Sequence, residues 1–143
     1  MANRNPTAEE ALASGKLLHI KPEGISMLPL IKAGRDSVYI GGTTFADVKK
    51  GDIILYRNEH HLLVLHRLVK KTPTAFYTVG DNQLVSAGPY YKEALLGKMI
   101  GMERKGKYHD SRQPSMRLYG KLWMMRQKLL LIARAIVRRK KSD

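Results

Sequence analysis

Five short runs of apolar or alternating residues, DSVYIGG (36–42), GDIILYR (51–57), HLLVLHRLVK (61–70), AFYTVGD (75–81) and LLGKMIGM (95–102), commit the middle of this chain to strands. They are rich in Val, Ile, Tyr and Leu, and clusters of Gly, Asp, Asn, Lys and Pro separate them at the ~8–12-residue spacing of an all-β domain. Between Ser26 and Met102 no run has both the length and the 3.6-residue period of a helix, apart from a turn or two around SMLPLIKAG. Upstream, PTAEEALASG predicts a short helix, with Thr7 as N-cap, Glu10 as its capping-box partner and Gly15 as the stop.

Periodicity changes near the C-terminus. In residues 117–141, Leu118, Leu122, Met125, Leu129, Ile132 and Ile136 recur at i+4, i+3, i+4, i+3, i+4, which is one stripe of an α-helix. Tyr119, Trp123, Leu130, Ala133 and Val137 widen it to roughly half the circumference, with Lys121, Lys128, Arg138 and Arg139 opposite. Gly120 costs about 1 kcal/mol of helix propensity, so the onset can slip past it. The predicted organisation is a β domain over 1–102, a basic linker over 103–116 and an amphipathic helix over 117–141.

Charge follows the same division. Residues 1–96 hold 12 Lys/Arg against 9 Asp/Glu, whereas residues 97–143 hold 14 against 3, so most of the net +14 lies in the tail. With no cysteine, disulfides, thiolate metal sites and cysteine nucleophiles are excluded. Asp36, Asp47, Asp52 and Asp81 are too scattered to argue a metal site, so no metal and no cofactor are expected. The polar start lacks the apolar core of a signal peptide, and no segment reaches the ~18 apolar residues of a membrane span. The expected location is the cytoplasm, either free or peripheral on the membrane surface.

One stretch asks for chemistry. Gly24-Ile25-Ser26-Met27-Leu28-Pro29 is followed in order by AGRDSV (33–38), KKGDIILY (49–56), VLHRLV (64–69) and YTVGDNQ (77–83). This succession resembles the superfamily of type I signal peptidases and LexA-like self-cleaving repressors, whose boxes read roughly G-x-S-M-x-P, a turn into a strand, K-x-G-D-I-V, K-R or H-R on a strand, and G-D-N. The resemblance covers residues 24–83 and continues loosely to 95–101. It implies a mainly β, LexA/signal-peptidase-like complex fold, here followed by the basic amphipathic helix.

It also implies roles. Ser26 stands where the family has its nucleophile and His66 where it has its general base, so the chain resembles the histidine branch. The chemistry agrees, because a serine hydroxyl needs a base within hydrogen-bond reach, and imidazole titrates near neutral pH. On a strand, His66 shares a face with Leu62, Val64 and Leu68, so its ring needs a polar partner, for which Ser26 is the candidate. Arg67 points to the other face, as an ion-pair or surface residue. His60 and His61 belong to a hairpin turn.

Two departures stand out. Histidine-type members carry an orienting aspartate shortly after G-D-N, where this chain reads LVSAGPYY (84–91). Either Asp81 holds His66, or Ser26 and His66 act as a dyad, or the enzyme is slow or silent. The second departure is Gly24, which occupies the position where some signal peptidases place an oxyanion-binding hydroxyl, leaving the Ser26 backbone N–H as the simplest donor, on a loop shaped by Gly24, Met27 and Pro29. Ser115 in PSM lacks the following boxes and is set aside.

The expected function is a serine endopeptidase acting on a peptide or protein segment bound beside a strand. A catalytically silent peptide- or membrane-binding module of the same fold is the alternative, and a self-cleaving regulator a weaker one. For the helix over 117–141, packing on the β domain, nucleic-acid binding and a membrane surface are all open. The Trp, Met and Lys/Arg content puts the membrane surface first, and nucleic acid is not expected because no reading element accompanies the charge.

Overall fold

A computed structural model describes residues 7–142. The chain forms α1 (Ala8–Ala13), β1 (Leu18–Ile20), β2 (Asp36–Gly42), β3 (Ile53–Arg57), β4 (Leu63–Lys71), β5 (Ala75–Val79), β6 (Ala87–Tyr91), β7 (Leu95–Arg104), β8 (Lys107–Asp110) and α2 (Pro114–Ser142). The strands make one antiparallel sheet in the order β1-β2-β7-β3-β4-β5-β6, with β8 pairing β7. The fold is therefore mainly β with a C-terminal helix, as the alternating runs predict.

Strand β3 explains how so small a sheet holds together. Its residues 53–56 are all buried, because period-2 alternation sends Ile53 and Leu55 into one apolar cluster and Ile54 and Tyr56 into another. The first cluster gathers Met27, Ile31, Val38, Ile40, Met99 and Met102; the second gathers Val48, Leu68 and Phe76. Each such side chain contributes about 1.5–3 kcal/mol by leaving water. Helix α1 closes one end, and both bonds of the expected capping box form, Glu10 N–H to Thr7 Oγ1 at 3.2 Å and Thr7 N–H to Glu10 Oε2 at 3.3 Å.

The segment 103–116 is not a linker. Residues 107–110 pair with β7 through a two-residue turn at Lys105 (φ 53°) and Gly106 (φ 76°). Positive φ at both central positions is the type I′ geometry whose twist suits a hairpin. The final helix begins at Pro114, ahead of the expected 117, with proline at its first position, where a missing N–H costs nothing. It runs straight through Gly120, where an added Cβ would lie 3.3 Å from Arg67 Nη1; close approach of helix to sheet offsets the propensity cost there.

The face that α2 turns inward also differs from the stripe. Trp123 and Gln127 are its buried residues, with Met116, Tyr119, Gly120 and Met124 half-buried beside them. The stripe Leu118, Leu122, Met125, Leu129, Ile132 and Ile136 lies outside, each residue between 51% and 63% exposed. No helix of the described residues is long and apolar enough to cross a membrane.

Candidate active site

Ser26 sits in the turn between β1 and β2. Gly24, at φ +81°, bends the chain into that turn, a conformation a side chain would strain. Met27 then anchors it in the first apolar cluster, and the Ile31 N–H closes onto the Met27 carbonyl at 3.0 Å. Pro29 is exposed. The far end of the turn is clamped by Asp36, whose buried carboxylate accepts from Arg104 Nε at 2.8 Å, Arg35 Nε at 3.1 Å and the Lys32 N–H at 2.9 Å. Burial alone would raise the pKa of Asp36, but the Arg104 and Arg35 hydrogen bonds outweigh it and hold the group well below the usual carboxylate range.

Ser26 is fixed from a second side by the Gly80-Asp81-Asn82 turn after β5. The Asn82 N–H donates to the Ser26 carbonyl at 2.8 Å. Gly80 presses so close that a Cβ there would lie 2.4 Å from the Ser26 oxygen. No partner for the Ser26 N–H is found among the described residues, so this donor remains available beside the hydroxyl.

Strand β4 brings His66 to Ser26 across 40 residues, with Nε2 at 3.2 Å from the serine Oγ. The ring faces the same side as Val64 and Leu68, as the period requires. Its other nitrogen, Nδ1, is 3.3 Å from the Tyr56 hydroxyl, and that hydroxyl is 2.7 Å from Thr78 Oγ1. Tyr56 is 1% and Thr78 0% exposed. If Nε2 accepts from Ser26, the neutral ring must carry its proton on Nδ1, which donates to Tyr56, and Tyr56 in turn donates to Thr78. Burial is the larger influence on His66, keeping its pKa below the ordinary 6.5; the nearby charge of Asp81 pulls the other way. The ring is accordingly a neutral base at pH 7.

Asp81 is close enough to be felt, but it does not hold the imidazole. Its carboxylate takes Arg67 Nε at 2.7 Å and Nη2 at 2.8 Å, a fully buried bidentate pair, and Arg67 Nη1 donates to the Gly51 carbonyl at 2.7 Å. Arg67 is thus an ion-pair residue but not a surface one: it lies under α2, with the Trp123 ring at 5.3 Å and Tyr119 at 5.7 Å. The contact with His66 Nδ1 that Asp81 was a candidate for is made by Tyr56, which strand patterning counts only as a core aromatic. Register supplies the missing signal. With Ile54 opposite His66 and Tyr56 opposite Val64, Tyr56 and His66 share one face at diagonal positions.

A cavity of about 330 Å³ opens beside the pair, lined on one side by Leu63, Val64, Leu65 and His66 and on the other by residues 20–24, Met27, Ile31 and Ala33. Strand β5 pairs β4 only from Arg67 onward, so residues 63–66 form an open edge. The Asn58 N–H bonds to the Leu62 carbonyl, and antiparallel alternation from there turns the backbone groups of Leu63 and Leu65 outward into the cavity. An extended peptide can add to that edge.

Other candidates separate from this site. His60 and His61 are exposed in the β3–β4 turn, and Ser115 is exposed at the start of α2 with its hydroxyl 2.9 Å from Gln113 Nε2. A second serine–histidine contact exists, His19 Nε2 to Ser37 Oγ at 2.7 Å, but His19 is exposed, stacks on Tyr39 and lies outside the Ser26 cavity. No cluster of metal-ligating side chains occurs among the described residues. Comparison with models of protein families, with curated proteins and with solved structures finds no match for this chain.

Proposed function

We propose that the chain is a serine endopeptidase of the signal-peptidase/LexA-like kind, with Ser26 as nucleophile and His66 as general base. The observation that carries the reading is the Ser26 Oγ–His66 Nε2 approach of 3.2 Å, made by a half-buried neutral imidazole at the wall of a cavity with a free strand edge. Ser26 Oγ attacks the scissile carbonyl carbon while Nε2 takes the hydroxyl proton; the Ser26 N–H faces the oxyanion. His66 then returns the proton to the departing amine, leaving an acyl-serine, and a water deprotonated by the same nitrogen releases the acid.

The substrate is an extended segment added beside Leu63–Leu65. The apolar wall of Met27, Ile31, Leu55 and Leu65 favours a small aliphatic side chain next to the cut bond. A silent peptide-binding module is the rival reading. It is favoured by one observation: the partner of His66 Nδ1 is a neutral phenol rather than a carboxylate, which stabilises an imidazolium less.

The test is mass spectrometry of a mixed peptide library incubated with the wild type or with Ser26→Ala. Cleavage products present only with the wild type support the peptidase. Identical digests from two folded proteins leave the binding module, and binding of uncut peptides to the Ser26→Ala cavity would then identify it.

A further inference from the structure

We infer that the outward face of α2 is a docking surface for an anionic lipid bilayer, on which the helix lies flat. This does not depend on the chemistry at Ser26.

Helix α2 has two apolar faces. At ~100° per residue, Met116, Tyr119, Trp123 and Gln127 cluster on one side, and the centre of the Leu118–Ile136 stripe lies roughly 145° round the axis from theirs. The first side is occupied: Trp123 Nε1 donates to the Asp81 carbonyl at 3.0 Å, and Gln127 Nε2 to the Leu84 carbonyl at 2.9 Å. The second carries Leu118, Leu122, Met125, Leu129, Ile132 and Ile136, all more than half exposed, a continuous aliphatic strip larger than a soluble surface leaves bare without use. From Lys128 to the end of the helix every described residue is exposed.

Charge says what covers it. Residues 114–142 contain nine Lys/Arg and no Asp/Glu. Lys121, Lys128 and Arg139, which lie opposite the broad face drawn with Tyr119 and Trp123, run along one border of this narrower strip and Arg126 lies on the other, where long side chains can bury their stems in the apolar zone and place their charges among phosphates. A second copy of the helix would bring like charges together with no acid to pair them. Nucleic acid would satisfy the borders but leave six aliphatic side chains unmatched and no aromatic to stack on. An anionic bilayer meets both halves, acyl chains against Leu, Ile and Met, and headgroups against Lys and Arg. Because no described helix is apolar enough to span, the helix lies in the interface rather than crossing it.

The experiment is flotation of the full chain with vesicles of phosphatidylcholine alone or with about one third phosphatidylglycerol. Wild type should float with the anionic vesicles, less so at high salt, and remain behind with the neutral ones. Leu129→Glu combined with Ile132→Glu should abolish flotation. Lys121→Gln, Lys128→Gln and Arg139→Gln together, at exposed positions where folding is not at stake, should weaken it about a hundredfold. Trp123, on the inner face, should keep its emission when the lipids are brominated. The inference is overturned if wild type does not float, if both sets of variants float like wild type, or if brominated lipid quenches Trp123. It is equally overturned if light scattering finds a dimer that the glutamates dissolve, or if RNA rather than vesicles is bound.

Discussion

The indole N–H of Trp123 donates to the backbone carbonyl of Asp81 at 3.0 Å, and this one bond ties the C-terminal helix to the turn that holds the candidate nucleophile. Three consecutive residues carry the linkage. Gly80 fits against the Ser26 carbonyl, the Asp81 side chain grips Arg67 of β4, and the Asn82 N–H bonds back to Ser26. The G-D-N box here acts by packing and hydrogen bonding on the serine turn, with no direct contact to the imidazole.

Gly80→Ala tests the packing half of that statement. A Cβ at 2.4 Å from backbone oxygen, and 3.0 Å from the Ser26 Cβ, cannot be relieved by turning a flexible side chain. The serine turn has to move away from His66. The expected cost is about 1–3 kcal/mol of stability by urea unfolding, with a loss of peptide cleavage larger than the loss of folded protein. A variant as stable and as active as wild type would show that the turn is not held where the structure puts it.

Removing the Asp81 carboxylate separates a structural acid from a catalytic one. Asp81→Ala leaves Arg67 buried without a counter-charge, and breaking such a pair costs about 3–5 kcal/mol; both side chains are shielded, at 4% and 0% exposure, so little solvent screening applies. Because the Asp81 charge raises the pKa of His66 against the larger effect of burial, its loss should move the acid limb of the pH–rate profile to lower pH. A limb that stays in place, or a stability unchanged in urea, contradicts the arrangement.

Much of this was legible in the sequence, and the misses have physical causes. The runs that became β2, β3, β4, β5 and β7 announce themselves because their apolar side chains fill the core, on both faces in the case of β3. Strands β1, β6 and β8 do not: His19, the Gly88-Pro89 pair and Lys107 carry little apolar pattern, and these strands are held by backbone pairing to a neighbour already in place. His66 stood out as a polar ring on an apolar face, whereas Tyr56 was hidden, since a tyrosine in a strand reads as core until the register places it beside a histidine. Arg67 and Asp81 were both visible as residues but not as a pair, because their meeting depends on the β4–β5 register that sets Arg67 opposite Val79. Periodicity found the stripe of α2 correctly and could not tell which side faces the sheet, because Trp123 and Tyr119 give the helix a second apolar side.

Tyr56 supplies the sharpest test of the proposed chemistry, through pH. Wild-type kcat/KM should rise with pH through a value below 6.5 and be flat at neutrality, since burial lowers the His66 pKa and the neutral ring is the base. The same shift affects folding. Below 6.5 the unfolded chain binds a proton that the folded ring resists, so stability falls as pH drops from 6.5 toward the lowered folded value, and His66→Gln should remove that part of the slope. Tyr56→Phe keeps the buried ring that packs on Phe76 and Tyr90 but takes away the acceptor of the Nδ1 proton. The imidazolium formed during attack then has no partner, so kcat should fall on the order of tenfold to a hundredfold, a fraction of the 10²–10⁴ a positioned base supplies. KM should hold, because Tyr56 does not line the cavity. Steady-state kinetics on a cleaved library peptide decides it: an unchanged kcat in Tyr56→Phe means that the hydroxyl chain to Thr78 serves the core alone, and that His66 works, if it works, without an orienting partner.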